Sequence, residues 1–254
     1  SEGVPIGGCK GFLKILNKLT RDIKPNLIVV VWDGQGGSQQ RRAKHKGYKA
    51  GRKPLRLNRS DMILSEEEQE NNKIWQQLRV IEYLNNTPVI QFMENNVEAD
   101  DVISYVKSMP IFSDWQKVIV SSDKDFYQLL DNNTVLCRPT QGEILNKNMI
   151  IERHGIHPNN FALARSMVGD KSDNIPGLRG VGLGTVAKRF PFLAKEDSFF
   201  VDDLVDFCRE KVKESSVKVF ANVIEARPTI ERNYDIMQLS SPTMSIQSKQ
   251  RVQE

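Results

Sequence analysis

The sequence predicts a mixed α/β fold: a mostly parallel central sheet flanked by helices, followed by a helical region. Short apolar runs alternate with stretches of helical periodicity, which is typical of this class. Acidic residues follow the ends of several predicted strands, and from about Phe161 onward the pattern becomes helical. We therefore divide the chain into an α/β core, residues 1–160, and a helical region, residues 161–254.

The first half of the core contains two predicted helices and two predicted strands. Apolar residues recur at helical spacing over residues 11–21 and again over residues 74–84. Residues 27–32 form a continuous apolar run rich in valine, which is typical of a strand buried on both faces. Residues 89–92 are predicted as a second, short strand.

The rest of the core repeats this alternation. A helix is predicted after the acidic residues at 98–101, and another begins at Phe126. Strands are predicted at residues 117–120 and 134–137. The tail, residues 240–254, is polar and is expected to be loose.

Composition excludes some classes of protein. The chain has 254 residues, of which 39% are hydrophobic, as in one large globular domain with or without a small satellite. No run approaches the length of about 18 apolar residues that spans a bilayer, and residues 1–11 lack a signal-peptide pattern. The three cysteines are far apart, so we expect free thiols and a cytoplasmic protein.

Acidic residues at element ends predict a metal site. They are Asp33, then Glu98, Asp100 and Asp101, then Asp123 and Asp125, then Asp170 and Asp173. Ligands of open α/β sheets bind beyond the carboxyl ends of the strands, so we expect these side chains to converge. Hard divalent cations such as Mg²⁺ prefer oxygen ligands, and two such ions suit a phosphodiester. The alternative interpretation is that the acids only cap helix N-termini.

A basic block lies between these acids. It contains Arg41, Arg42, Lys44, Lys46, Lys49, Arg52, Lys53, Arg56 and Arg59, with no acidic residue among them. Such a block beside acidic clusters suits a nucleic acid held next to metal ions. Tyr48, inside the block, offers a surface on which an unpaired base can stack. The alternatives are a solvated basic loop and a tyrosine that packs on the domain surface.

A glycine-rich segment between two predicted helices indicates a helix-hairpin-helix at about residues 175–190. Backbone N–H groups at Gly180, Gly182 and Gly184 can approach a phosphate closely, and the side chains of Thr185 and Lys188 can add contacts. Such contacts hold duplex DNA without reading its sequence. A flexible connector is the alternative, and the lack of a preceding strand argues against a dinucleotide-binding fold.

On these motifs the chain resembles the flap-endonuclease or 5′-nuclease family. That family includes the 5′→3′ exonuclease domain of bacterial DNA polymerase I and phage-type RNase H. The resemblance covers residues 3–190. Its motifs are VVWD at 30–33, GYKAGR at 47–52, EADD at 98–101, SDKDFYQLL at 122–130 and GDKSDNIPG at 169–177.

The resemblance implies roles for these residues. One Mg²⁺ would be served by Asp33, Glu98, Asp100 and Asp101, and a second by Asp123, Asp125, Asp170 and Asp173, with Mn²⁺ able to substitute. The basic block would belong to an arch, about residues 34–72, that admits the 5′ single strand. Within it Lys49 and Arg52 would neutralise the scissile phosphate, so the expected catalytic residues are Lys49, Arg52, Asp33 and Asp101. The helix-hairpin-helix would bind K⁺ and grip the downstream duplex.

The resemblance also implies an activity. We expect a monomeric 5′ nuclease acting in replication or repair on DNA with a 5′ flap, a nick or an RNA primer. Polymerase, clamp and single-strand-binding protein are candidate partners. The alternatives are a non-catalytic DNA-junction binding module and a PIN-type ribonuclease. The family begins with a buried strand that carries an aspartate ligand, and residues 1–5 match the stretch after it, so we expect a natural chain with residues upstream of Ser1.

Overall fold

The computed structural model describes residues 5–51 and 65–253. The first elements are α1 (Gly7–Ile23), β1 (Val29–Asp33), α2 (Gln39–Lys44), α3 (Glu66–Leu84), β2 (Ile90–Glu94) and α4 (Ala99–Ser108). Next come β3 (Lys117–Val120), a 3₁₀ helix (Lys124–Leu129), β4 (Thr134–Arg138), β5 (Glu143–Leu145), α5 (Lys147–His154) and α6 (Phe161–Val168). The last are β6 (Gly169–Asp170), β7 (Ile175–Pro176), α7 (Leu183–Arg189), α8 (Val201–Glu214), α9 (Lys218–Glu225), α10 (Arg227–Met237) and α11 (Ile246–Gln253). The predicted mixed α/β class is confirmed.

Contacts divide the chain into two compact units. Within the described residues, unit 1 contains 5–32 and 65–93, and unit 2 contains 33–51 and 94–253. This division does not coincide with the predicted boundary at residue 160 between an α/β core and a helical region, which stays a prediction. None of the helices in the described ranges is both long enough and apolar enough to span a bilayer.

Unit 1 is held by contacts between its two helices and its strands. The side-chain oxygen of Gln76 on α3 accepts a hydrogen bond from the backbone N–H of Gly8 on α1, at 2.7 Å. The rings of Phe12 and Trp32 stack with centroids 5.6 Å apart. The predicted helices and strands of this part are confirmed. The residues of β1 before Asp33 are only partly buried, however, rather than buried on both faces as expected.

The three-stranded sheet of unit 2 mixes parallel and antiparallel pairing. β3 pairs in parallel with β4, with Lys117 opposite Thr134, and β4 pairs antiparallel with β5. The prediction of β3 is confirmed at its bounds. The helix expected from Phe126 is instead a short 3₁₀ helix. The side chain of Asp123 accepts the N–H of Asp125 and tightens its first turn, and the chain is extended again at Leu130.

The core of unit 2 is built around α6. Six of its eight residues are buried, among them Phe161, Leu163 and Met167. The side-chain amide of Asn233 on α10 donates to the carbonyls of Ser166, 2.9 Å away, and Pro176, 2.8 Å away. These bonds fix the turn that follows α6, where two of the predicted site aspartates lie. From Phe161 onward the described elements are helices, apart from the short β6–β7 ladder.

The tail is not loose, contrary to the prediction. Residues 246–253 form α11, in which Ser248 and Val252 are each 4% exposed. All three cysteines are free thiols, as predicted, and Cys137 and Cys208 are buried.

Replacing Asn146 with alanine is expected to lower the free energy of unfolding by about 1 kcal/mol. The Asn146 side-chain oxygen accepts the backbone N–H of Met149 at 3.0 Å and caps α5. Alanine leaves that N–H without its partner. Urea unfolding measures the change. Asn146→Asp, which keeps the acceptor, is the control, and equal losses in both variants would contradict the assignment of the cap.

Candidate active site

Asp33 caps the helix that carries the first acidic cluster. Its Oδ1 accepts a hydrogen bond from the backbone N–H of Ala99, the first residue of α4, at 3.0 Å. Glu98 occupies the N-cap position of α4 but makes no capping bond with its own side chain. Asp33 therefore caps the N-terminus of α4, which was the alternative role for the acids. The side chain of Glu98 is available for other contacts.

Glu98 is surrounded by donors from the basic block. Arg41 Nη1 lies 2.5 Å from Glu98 Oε2, Lys49 Nζ lies 2.8 Å from Oε1, and the Tyr48 hydroxyl donates to Oε2 at 3.1 Å. Burial opposes the charged form of Glu98, but Arg41 and Lys49 outweigh it and hold its pKa below the ordinary value. Glu98 is therefore a stable anion that anchors the basic segment in unit 2.

The next two acids of α4 are held differently. Asp101 is 4% exposed, and its Oδ2 lies 3.0 Å from Arg41 Nη1. Burial raises the pKa of Asp101, although Arg41 favours its ionised form. Burial, together with the nearby charge of Asp123, raises the pKa of Asp100 to about 7. The carboxylates of Asp100 and Asp123 thus repel one another across the site.

The segment after β3 brings a second pair of acids. Burial and the charges of Asp123 and Asp170 raise the pKa of Asp125 to about 6, although Arg165 opposes the rise. Arg165 Nε lies 3.2 Å from Asp125 Oδ1, and its guanidinium also contacts Asp170. Arg165 therefore joins the loop after β3 to the turn after α6.

The turn after α6 supplies the remaining acids. Asp170 Oδ1 accepts the N–H and the hydroxyl of Ser172, at 2.6 and 2.5 Å. Burial raises its pKa, but Ser172 and Arg165 outweigh burial and keep it below the ordinary value. Asp173 is 8% exposed, and its backbone carbonyl accepts the N–H of Lys49 at 2.9 Å.

Four of the predicted acids face one cavity. It is lined by Asp100, Asp123, Asp125 and Asp173, by Arg41, Tyr48 and Lys49, and by the apolar side chains of Ile175, Ile236, Met237 and Leu239. An adjacent cavity contains Asp101 and shares Arg41. The predicted convergence of acids from three separate segments is therefore present in the structure.

These acids do not form a ready-made ligand cage. Within residues 5–51 and 65–253, no three histidine, cysteine, aspartate or glutamate side chains are grouped so that they could hold one ion. Two arginines provide the counter-charge instead: Arg41 joins Glu98 to Asp101, and Arg165 joins Asp125 to Asp170. The donor chemistry suits a hard divalent cation, because neighbouring carboxylates that repel one another are stabilised by one.

Arg165 is the contributor that the sequence interpretation missed. It is the one charged residue of α6, whose other residues are mostly apolar and buried. A charge in such a helix needs an acidic partner to be tolerated. In the sequence, the sign of this role is a single arginine in an apolar helix, five residues before Asp170.

The basic block only partly matches its predicted role. Tyr48 is 4% exposed and lies in a buried cluster with Ile175, Ile236 and Met237, so its ring packs inside the protein and is not a stacking surface. Arg42, Lys44 and Lys46 are exposed. Arg52 and Lys53, and much of the predicted arch, lie outside the described residues.

The predicted helix-hairpin-helix is interrupted by a small ladder. α6 is followed by β6 and β7, and only then by the glycine-rich loop and α7. Gly180 adopts a left-handed φ of 74°, which glycine takes without strain, and Gly182 is the N-cap of α7. Gly184 and Lys188 are exposed and Thr185 is partly exposed. Their contacts with DNA stay a prediction.

The comparison with known families decides the relationship. Residues 1–155 match the family model described as the 5′-3′ exonuclease, N-terminal resolvase-like domain. The chain belongs to this 5′-3′ exonuclease family. The resemblance recognised in the motifs is thereby confirmed.

Curated members of the 5′-3′ exonuclease family share moderate identity with the chain. DNA polymerase I of Caldicellulosiruptor bescii is 28% identical over 221 residues, which are 84% of this chain and 24% of the polymerase. The 5′-3′ exonuclease of Aquifex aeolicus is 29% identical over 187 residues, 72% of this chain and 58% of that protein. The chain thus spans about a quarter to somewhat more than half of these relatives.

Solved structures show the same fold. A structure of T5 5′-exonuclease with bound zinc has a TM-score of 0.77 at 17% identity. The aligned region covers 97% of this chain and 89% of the T5 chain. A bacteriophage T5 flap endonuclease in a complex with DNA and metal ions has a TM-score of 0.73 at 18% identity, and covers 92% and 81%. At these identities the likeness concerns the fold alone.

Proposed function

We propose that this chain is a divalent-metal-dependent, structure-specific 5′ nuclease that hydrolyses phosphodiester bonds in flapped, nicked or RNA-primed DNA. The observation that carries the proposal is the convergence of Asp100, Asp123, Asp125 and Asp173 on one cavity beside Lys49. Family membership supports it, since the relatives are named 5′-3′ exonucleases and DNA polymerases. The solved T5 structures contain divalent metal or DNA.

The carboxylates are the residues that would hold the metal. Asp100 and Asp101 on α4 form one group with Glu98, the N-cap of that helix, and Asp123, Asp125, Asp170 and Asp173 form another. Mg²⁺ is the expected ion, with Mn²⁺ as a substitute, because both accept oxygen ligands. When bound, such ions help water to ionise and stabilise the leaving oxygen of the phosphodiester.

The cationic side chains would orient the substrate. Lys49 Nζ contacts Glu98 and also faces the acid-lined cavity, so a phosphate entering that cavity would meet a fixed positive charge. Arg42, Lys44 and Lys46 are exposed and add a positive field that attracts DNA. The exposed glycine loop before α7 is proposed to contact the duplex phosphates and to hold K⁺.

One observation favours a second candidate function. Because Arg41 and Arg165 occupy positions between paired carboxylates, the protein could bind a DNA junction without assembling a metal site. A non-catalytic junction-binding module would keep the basic residues and the glycine loop but would show no turnover. Replication proteins remain proposed partners in either case, and a monomer is the proposed state.

One cleavage experiment separates the two functions. A duplex with a labelled 5′ flap is incubated with the protein in Mg²⁺, in Mn²⁺ and in EDTA, and binding is followed in parallel by gel shift. We expect cleavage near the base of the flap in either metal, none in EDTA, and binding that weakens steeply with added salt. Binding without cleavage in both metals would establish the junction-binding module instead. Equal cleavage in EDTA would exclude the metal-dependent mechanism.

A further inference from the structure

The end of the chain returns to the acidic site as an ordered strap. We define the strap as residues 238–253, which follow α10 and include α11. Leu239 is 1% exposed, and Ser248 and Val252 are each 4% exposed. The segment is therefore anchored in unit 2 at its beginning and within α11, although its composition is polar.

The strap contacts α4 at two positions one turn apart. The Ser104 hydroxyl donates to the carbonyl of Leu239 at 2.5 Å, and Ser104 is itself 3% exposed. The backbone N–H of Thr243 donates to Asp101 Oδ1 at 3.2 Å. Arg41 holds the other oxygen of the same carboxylate, so the two contacts together fix the orientation of Asp101.

The beginning of the strap is also joined to the segment that carries Asp123 and Asp125. Gln128, in the 3₁₀ helix after those acids, donates from its amide to the carbonyl of Met237 at 3.0 Å. Its side-chain oxygen accepts the N–H of Leu239 at 2.7 Å. The same stretch of backbone thus contacts both acid-bearing segments.

An ion pair secures the far end of the strap. Arg251 on α11 contacts the carboxylate of Glu94 with two nitrogens, at 3.0 and 2.6 Å. Glu94 is 7% exposed and ends β2, four residues before Glu98. Gln253 also donates to the Tyr105 hydroxyl on α4, at 2.6 Å. Both the beginning and the end of the strap therefore contact α4.

We infer that the strap positions the site carboxylates for divalent metal binding, with the backbone N–H of Thr243 orienting Asp101. The inference rests on the proposed metal-dependent function. Groups that hydrogen-bond to a metal ligand fix its orientation, and their removal typically weakens metal affinity about 10–100-fold. The Thr243 N–H is such a group, and it comes from a segment more than 140 residues away in the chain.

A pair of substitutions at one position tests the role of this N–H. Thr243→Pro removes the donor, whereas Thr243→Ala removes the side chain and keeps the donor. Mn²⁺ binding is measured by electron paramagnetic resonance on protein first freed of metal with EDTA, and flap cleavage is measured alongside. We expect Thr243→Pro to weaken Mn²⁺ binding about 10–100-fold and Thr243→Ala to retain wild-type affinity.

A second variant covers the case in which Thr243→Pro does not fold, as judged by circular dichroism. Arg251→Met releases α11 from Glu94 and leaves residue 243 unchanged, and we expect Mn²⁺ binding several-fold weaker than in wild type. The inference would be overturned if Thr243→Pro and Arg251→Met, where they fold, bound Mn²⁺ with wild-type affinity. A wild-type protein that binds no Mn²⁺ would instead overturn the proposed metal site itself.

Discussion

Replacing Asp123 with asparagine is expected to reduce the rate of flap cleavage about 10³-fold. Asparagine keeps the side-chain oxygen that accepts the N–H of Asp125, so the local turn is retained. It removes one negative charge from the acid-lined cavity, and metal ions contribute several kcal/mol of transition-state stabilisation when their ligands hold them. Single-turnover cleavage of a 5′-flapped duplex in Mg²⁺ measures the effect.

The matched control for this prediction is Asp114→Asn. Asp114 is exposed and lies outside the acid-lined cavity, so the same chemical change there should leave cleavage unaltered. The thermal stability of Asp123→Asn should be no lower than that of wild type, because Asp123 repels Asp100 and Asp125. Cleavage by Asp123→Asn at the wild-type rate would exclude the proposed assignment of the site.

Replacing Phe190 with alanine is expected to lower the free energy of unfolding by about 3–5 kcal/mol. The side chain is fully buried at the end of α7, with ring centroids 5.9 Å from Phe207 and 5.8 Å from Phe220. Alanine leaves a cavity among these rings, which rigid neighbouring helices can fill only in part. Urea unfolding followed by circular dichroism measures the loss.

Phe200→Ala is the control for Phe190→Ala. Phe200 is 56% exposed, so the same truncation should change stability by no more than about 0.5 kcal/mol. If the two variants lost stability equally, the packing of Phe190 against Phe207 and Phe220 would not be the source of the effect.

Local pattern was enough to predict most of the secondary structure. The apolar runs predicted β1 to β4, and β3 was found at its predicted bounds. Phe126, Leu129 and Leu130 recur at a spacing that fits a short 3₁₀ helix as well as the start of an α-helix. The structure has the 3₁₀ helix, which ends at an extended Leu130.

The candidate site could be predicted in composition but not in its charge pairing. The acids at strand and helix ends were recognisable because element ends meet at one edge of this fold class. The pairing of Arg165 with Asp125 and of Arg41 with Glu98 joins residues 40 and 57 positions apart, which no local pattern shows. The order of α11 has the same origin, since the Arg251–Glu94 pair joins residues 157 positions apart.

Two largely buried arginines neutralise part of the charge at the proposed metal site. In many small metal-binding domains the ion is the only counter-charge for its ligands, so a chelator unfolds the protein. Here Arg41 and Arg165 already offset part of the negative charge within the protein. We therefore expect the chain to fold without a bound ion, and an ion at the proposed site would compete with these guanidinium groups for the carboxylates.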